Sequence, residues 1–125
     1  MTSKGSSKVV VIVDDDRSVQ SAIKDLLESA GFSALCFGSA EEFLESDQQN
    51  QTACLVTDVR MPGMSGFELQ ARLEAEGYRI PIIFITAHDD AKTKMQAIKA
   101  GAVGLLTKPF DDEDLLEKVR AVLKG

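Results

Sequence analysis

The sequence predicts an α/β fold, a doubly wound (βα)5 sandwich around a five-stranded parallel sheet, and three observations carry that prediction. Five short apolar runs lack the polar alternation of a half-exposed strand, so each reads as a strand buried on both faces. A stretch of helical apolar spacing follows every one of them. Acids, a threonine and a lysine stand where these runs give way to loops.

The first strand, Val9 to Val13, is β-branched throughout and stops at Asp14, Asp15 and Asp16. Val19, Ala22, Ile23, Leu26, Leu27 and Ala30 then recur at helical spacing before Gly31, which predicts a helix capped by Asp16 and stopped by glycine. Ser33 to Phe37 is the second strand. Ser39 with Glu42 three residues on fits a capping box for a brief helix that buries Phe43 and Leu44. Ala53 to Thr57 is the third strand, after which Pro62 and Gly63 mark a turn and Phe67 to Ala75 returns to helical pattern, closed by Gly77. Pro81 introduces the fourth strand, Ile82 to Thr86. Asp89 or Asp90 caps a helix to Ala100 with Gly101 beyond it. This fourth helix has the weakest apolar stripe, Met95 and Ile98 being its only large members, so it is expected to be the least firmly docked. Gly104 to Thr107 is the fifth strand. Asp111 caps the last helix, whose Leu115, Leu116, Val119, Val122 and Leu123 form one stripe.

With 44% hydrophobic and 27% charged residues the chain has the composition of a globular domain, not a disordered one. Residues 8–125 are read as one domain and residues 1–7, polar and small, as a flexible leader. No apolar run approaches the ~20 residues of a membrane helix, and no hydrophobic stretch follows Lys4, so a cytoplasmic location is expected. Fourteen Lys and Arg against 20 Asp and Glu give a net charge of −6. That balance disfavours direct binding to nucleic acid, which relies on clustered basic residues.

In open α/β sheets ligands bind beyond the carboxyl ends of the strands. There this chain places Asp14 and Asp15 after the first strand, Asp58 after the third, Thr86 closing the fourth and Lys108 after the fifth. Asp16 is accounted for as a helix cap. Three further carboxylates at one edge repel and raise one another's pKa, a costly arrangement unless a cation sits among them. Hard oxygen ligands in small number suit Mg²⁺, which keeps several waters. Asp14, Asp15 and Asp58 bring −3 and Lys108 +1, so a divalent ion neutralises the cleft and admits an anion. A carboxylate can then act as nucleophile toward a phosphoryl group, with metal and lysine balancing charge on its oxygens and Thr86 donating to one of them.

The chain thus carries Val-Asp-Asp at 13–15, Asp-Val-Arg-Met-Pro-Gly-Met-Ser-Gly at 58–66, Ile-Thr-Ala at 85–87 and Lys-Pro-Phe at 108–110. In these motifs and their order it resembles the receiver domains of bacterial two-component response regulators, from about Val9 to Leu123. The resemblance implies a flavodoxin-like strand order of 2-1-3-4-5. It implies that Asp58 accepts a phosphoryl group from a phosphohistidine of a sensor histidine kinase. Asp14, Asp15, Asp58 and the backbone carbonyl of Arg60 would hold Mg²⁺. Lys108, aimed by a cis bond before Pro109, and the Ala87 amide would contact the phosphoryl oxygens, while Thr86 would move toward them. A phosphorylation-dependent homodimer through the fourth helix, fifth strand and fifth helix is expected. The 58–62 and 102–110 segments are similar to those of receivers joined to LuxR-type DNA-binding domains. No such output domain is read in these 125 residues, and an excised receiver is favoured over a stand-alone one. One departure is Leu105, where many relatives carry a Tyr or Phe, so the usual coupling of threonine and aromatic ring has no ring to turn.

Other readings are weaker on chemistry. A flavodoxin-type cofactor binder needs a hydroxyl- and glycine-rich loop after the first strand, and neither dinucleotide nor P-loop glycine motif occurs. A haloacid-dehalogenase-type phosphatase needs a second Asp where Arg60 stands. A phosphate-independent interaction module on the same fold is the remaining alternative, although such proteins typically lose an acid or the lysine. His88 is alone and makes a poor metal site, Met61 and Met64 read as packing, and Lys92, Lys94 and Lys99 as a solvated face. Cys36 and Cys54 lack C-x-x-C spacing. On strands flanking the first they would lie about 10 Å apart, beyond disulfide reach.

Overall fold

A computed structural model describes residues 9–124; the leader read at 1–7 lies outside them. Strands β1 (Val9–Val13), β2 (Ser33–Phe37), β3 (Thr52–Asp58), β4 (Ile82–Thr86) and β5 (Gly104–Thr107) alternate with helices α1 (Arg17–Ser29), α2 (Ala40–Glu45), α3 (Gly66–Ala75), α4 (Ala91–Lys99) and α5 (Asp112–Lys124). The strands pair in parallel in the order 2-1-3-4-5, as the resemblance implies.

Side chains on a strand point alternately to the two faces of its sheet, and here both faces are apolar. Val10, Ile12, Cys54, Val56, Ile83, Ile85 and Leu106 meet Ile23 and Leu27 of α1 and Leu115, Leu116 and Val119 of α5. Val11, Val13, Leu55, Ile82 and Phe84 meet Ala40 and Phe43 of α2, Leu69 and Leu73 of α3 and Ala97 of α4. That double burial, read from the apolar runs, holds for the inner strands β1, β3 and β4. The edge strands differ, β2 leaving Ser33 and Leu35 exposed and β5 burying Leu106 alone, because each has a neighbour on one side only. Connections between parallel strands must cross the sheet, so every strand ends at the same edge as its neighbours.

The caps follow the local chemistry with two differences. Asp16 accepts from the Ser18 and Val19 N–H groups at the start of α1, and Asp90 rather than Asp89 accepts from Thr93 N–H at α4. Ser39 accepts from Glu42 N–H, but the Glu42 carboxylate takes the N–H of Gly38, 2.9 Å away, so the expected box is not reciprocal. The reciprocal box is instead Ser65 with Glu68 at α3. Asp58 falls inside β3 as its last residue, paired in register with Ile85, not in the loop beyond.

Helix α4 also departs from its expected packing. Thr93 and Ala97 are buried, whereas Met95 and Ile98 are 55% and 72% exposed. The small side chains at 93, 97 and 100 let the helix lie close to the sheet, and its two large apolar residues face out.

Candidate functional site

The strand order places the end of β1 beside the ends of β2 and β3. Asp14 N–H donates to the Phe37 carbonyl at 3.1 Å and so extends the pairing by one residue, leaving the Asp14 carboxylate just past the sheet edge and 2% exposed. Asp58, ending the central strand, is nearly buried; Asp15 is on the exposed rim. One carboxylate oxygen from each of the three lies within 4.8 Å of the others. Lys108 Nζ, reaching over from β5, lies 3.0 Å from Asp58 Oδ2 and 3.5 Å from Asp14 Oδ2. The Lys108–Pro109 peptide is cis, as expected.

The electrostatics match this crowding. Burial pushes the Asp14 carboxyl above the ordinary aspartate range, and the Asp58 charge adds to the effect against the opposing Asp16 N–H bond and Lys108. Burial acts to lower the Lys108 ammonium, but its bond to Asp58 and the charges of Asp14 and Asp58 outweigh that and raise it. Three carboxylates and one lysine leave an excess of negative charge. The donor set is hard, compact and part-exposed through Asp15, which fits Mg²⁺ with several retained waters.

Neighbouring backbone defines the remaining wall. Arg60 N–H donates to Asp58 Oδ1 at 3.2 Å, Val59 N–H to the Ile85 carbonyl and Gly66 N–H to the Val59 carbonyl, the last two at 2.9 Å. A Cβ on Gly66 would stand 2.4 Å from the Asp58 carbonyl oxygen, so only glycine lets α3 start this close to the end of β3. Thr86 is buried, and its Oγ1 accepts the His88 N–H at 3.0 Å, leaving its own hydroxyl hydrogen to donate elsewhere. Ala87 is exposed on the same rim. Thus Asp14, Asp15, Asp58 and Lys108 come together directly, while Thr86, Ala87 and Arg60 border them.

Of the residues set aside in the sequence, His88 meets the site only through its backbone N–H, and the cysteine and methionine side chains stay apart from it. Cys36 and Cys54 are free, and burial raises the Cys54 thiol to about 12. Met61, Met64 and Leu105 pack against the core on the α2–α4 face. A cavity of about 610 Å³ between the ends of α3 and α4 lies at Pro81 and Ile82, where β4 begins, away from the strand ends that carry the acids. Two contributors escaped sequence reasoning. Gln20 Nε2 donates to the Asp14 carbonyl at 2.7 Å, and Glu41 accepts the Met64 N–H at 3.0 Å. The first spans six residues and the second 23; both come from ordinary helix-surface residues, and no motif spacing signals them.

Comparison with known proteins agrees with the geometry. The family model described as response regulator receiver domain matches residues 10–120. Response regulator protein TodT of Pseudomonas putida is 48% identical over 118 residues, covering 94% of this chain and 52% of that protein. Transcriptional regulatory protein FixJ of Bradyrhizobium diazoefficiens is 37% identical over 124 residues, covering 99% of this chain and 59% of its own length. The crystal structure of FixJ-N superposes with a TM-score of 0.86 at 37% identity, covering 100% of this chain and 97% of that one. The chain spans about half the length of the curated relatives it matches.

Proposed function

Because the chain belongs to the family of response regulator receiver domains, we propose that it accepts a phosphoryl group on Asp58 and acts as the switch of a two-component system. The observation that carries this is the juxtaposition of three carboxylates within 4.8 Å with Lys108 Nζ at 3.0 Å from Asp58 Oδ2. A carboxylate oxygen of Asp58 attacks the phosphorus of a phosphohistidine on a sensor histidine kinase. The new O–P bond forms as the P–N bond breaks, and the imidazole leaves with the electron pair. Asp14, Asp15, Asp58 and the Arg60 carbonyl would hold Mg²⁺, which supplies neutralisation of charge on the phosphoryl oxygens. Lys108 moves its contact from the Asp58 carboxylate to a phosphoryl oxygen. Thr86 and the Ala87 amide donate to the others; water later attacks the phosphorus, the Asp58 O–P bond breaks, and inorganic phosphate leaves as the carboxylate is regenerated.

The output follows from the face beside Thr86. Met95, Ile98 and Val103 are at least half exposed, an apolar patch on and just after α4 that a second copy would cover once Thr86 moves inward. Lys92 and Lys99 against Asp111 and Glu117 of that copy add charge complementarity that salt screens. The relatives include transcriptional regulators, and the chain acts as a cytoplasmic receiver that switches a transcriptional output.

Intact mass after incubation with Mg²⁺ and acetyl phosphate tests this. Wild type gains one phosphoryl group and Asp58→Asn none. Equal labelling of the variant would overturn the assignment, and an unlabelled wild type would favour a phosphate-independent interaction module.

A further inference from the structure

The loop between β3 and α3 carries Arg60, and its two ends are held locally. Arg60 N–H bonds to Asp58 at the first end, and Gly66 N–H with the Ser65–Glu68 box fixes the second. The tip at Gly63 and Met64 is held from another element. Glu41 Oε2, in the first turn of α2, accepts the Met64 N–H at 3.0 Å, across 23 residues of sequence. A Cβ on Gly63 would stand 2.7 Å from that same oxygen, and Gly63 has a φ of +77°. The positive φ favours glycine at the tip, and a side chain there would push the Glu41 carboxylate aside.

Helix α2 is a firm mounting for this contact. Ala40 and Phe43, flanking Glu41 and Glu42, are fully buried, the Phe43 ring packs 5.6 Å from that of Phe37, and Ser39 and Glu42 tie down the helix start. Groups that orient a metal ligand govern affinity without touching the metal. We propose that Glu41 is a positioning residue of the phosphoacceptor site, fixing the loop tip so that the Arg60 carbonyl is presented with Asp14, Asp15 and Asp58. This rests on the reading of the site as an Mg²⁺-dependent phosphoacceptor, and makes α2 part of its construction.

The test is Mg²⁺ titration by calorimetry on Glu41→Ala and Glu41→Gln, with amide exchange across residues 60–66 and melting without Mg²⁺. Glutamine keeps an oxygen that accepts from Met64 N–H; alanine does not. Glu41→Ala is expected to bind Mg²⁺ on the order of tenfold more weakly, the low end for loss of a ligand-orienting partner, and to exchange faster at Met64. Glu41→Gln should stay close to wild type in both. Unchanged affinity in Glu41→Ala would overturn the proposal, whether or not its melting temperature falls. Equal weakening in both variants would also overturn it, because it would mark the effect as one of charge. Wild type that takes up no Mg²⁺ would instead remove the phosphoacceptor reading, and this proposal with it.

Discussion

Asp14 shows how a single residue is set against the fold that holds it. Its carboxylate is buried beside that of Asp58, and its pKa in the folded chain lies above the ordinary aspartate value. A carboxyl with a raised folded pKa favours the native state while protonated, and that advantage is lost as pH rises from the unfolded value through the raised one. Without Mg²⁺, Asp14→Asn should therefore melt higher than wild type at about pH 7, and its advantage should shrink as pH falls toward about 4, the ordinary carboxylate range. Thermal melts in a chelator across that range check it. A difference independent of pH would show that the carboxylate charge is not the cause. The sequence disclosed the acids by type and position. That Asp14 is the buried one and Asp15 the exposed one depends on where the chain leaves the sheet.

The elements differ in how much their sequence says about docking. The start of α3 is tightly fixed: with 2.4 Å between a Cβ at Gly66 and the Asp58 carbonyl oxygen, Gly66→Ala must shift backbone on one side. The expected cost is about 1–3 kcal/mol, as for other overpacked sites, with slower labelling by acetyl phosphate because Asp58 moves; denaturant melts and intact mass measure both. Helix α4 is the opposite case. Its Ile98 is 72% exposed, so Ile98→Glu should change stability by no more than about 0.5 kcal/mol while abolishing any dimer formed with fluoroberyllate, read by sedimentation. A dimer that survives would place the interface elsewhere. The apolar stripe on α4 was legible, but its direction was not, since periodicity gives a face and only packing says whether the sheet or solvent receives it.

At the scale of the molecule, metal binding at the acidic cleft would be linked to folding. The three carboxylates converge only in the native state, so Mg²⁺ held by them is expected to stabilise that state selectively. At 100 times its dissociation constant a ligand of this kind adds about 2.7 kcal/mol, a rise on the order of 10 °C for a chain of this size. A melting temperature indifferent to Mg²⁺ would count against the site. By itself the sequence determined the alternation of strands and helices, the double burial of the inner strands and the residue types at the strand ends, because these follow from hydrophobic period, capping and turn chemistry over short stretches. Tertiary structure decided the rest: the Lys108 contact with Asp58, 50 residues apart, and the Glu41 hold on Met64, 23 residues apart. Those contacts join segments distant in the chain, and local periodicity carries no record of which distant segment a polar side chain will meet.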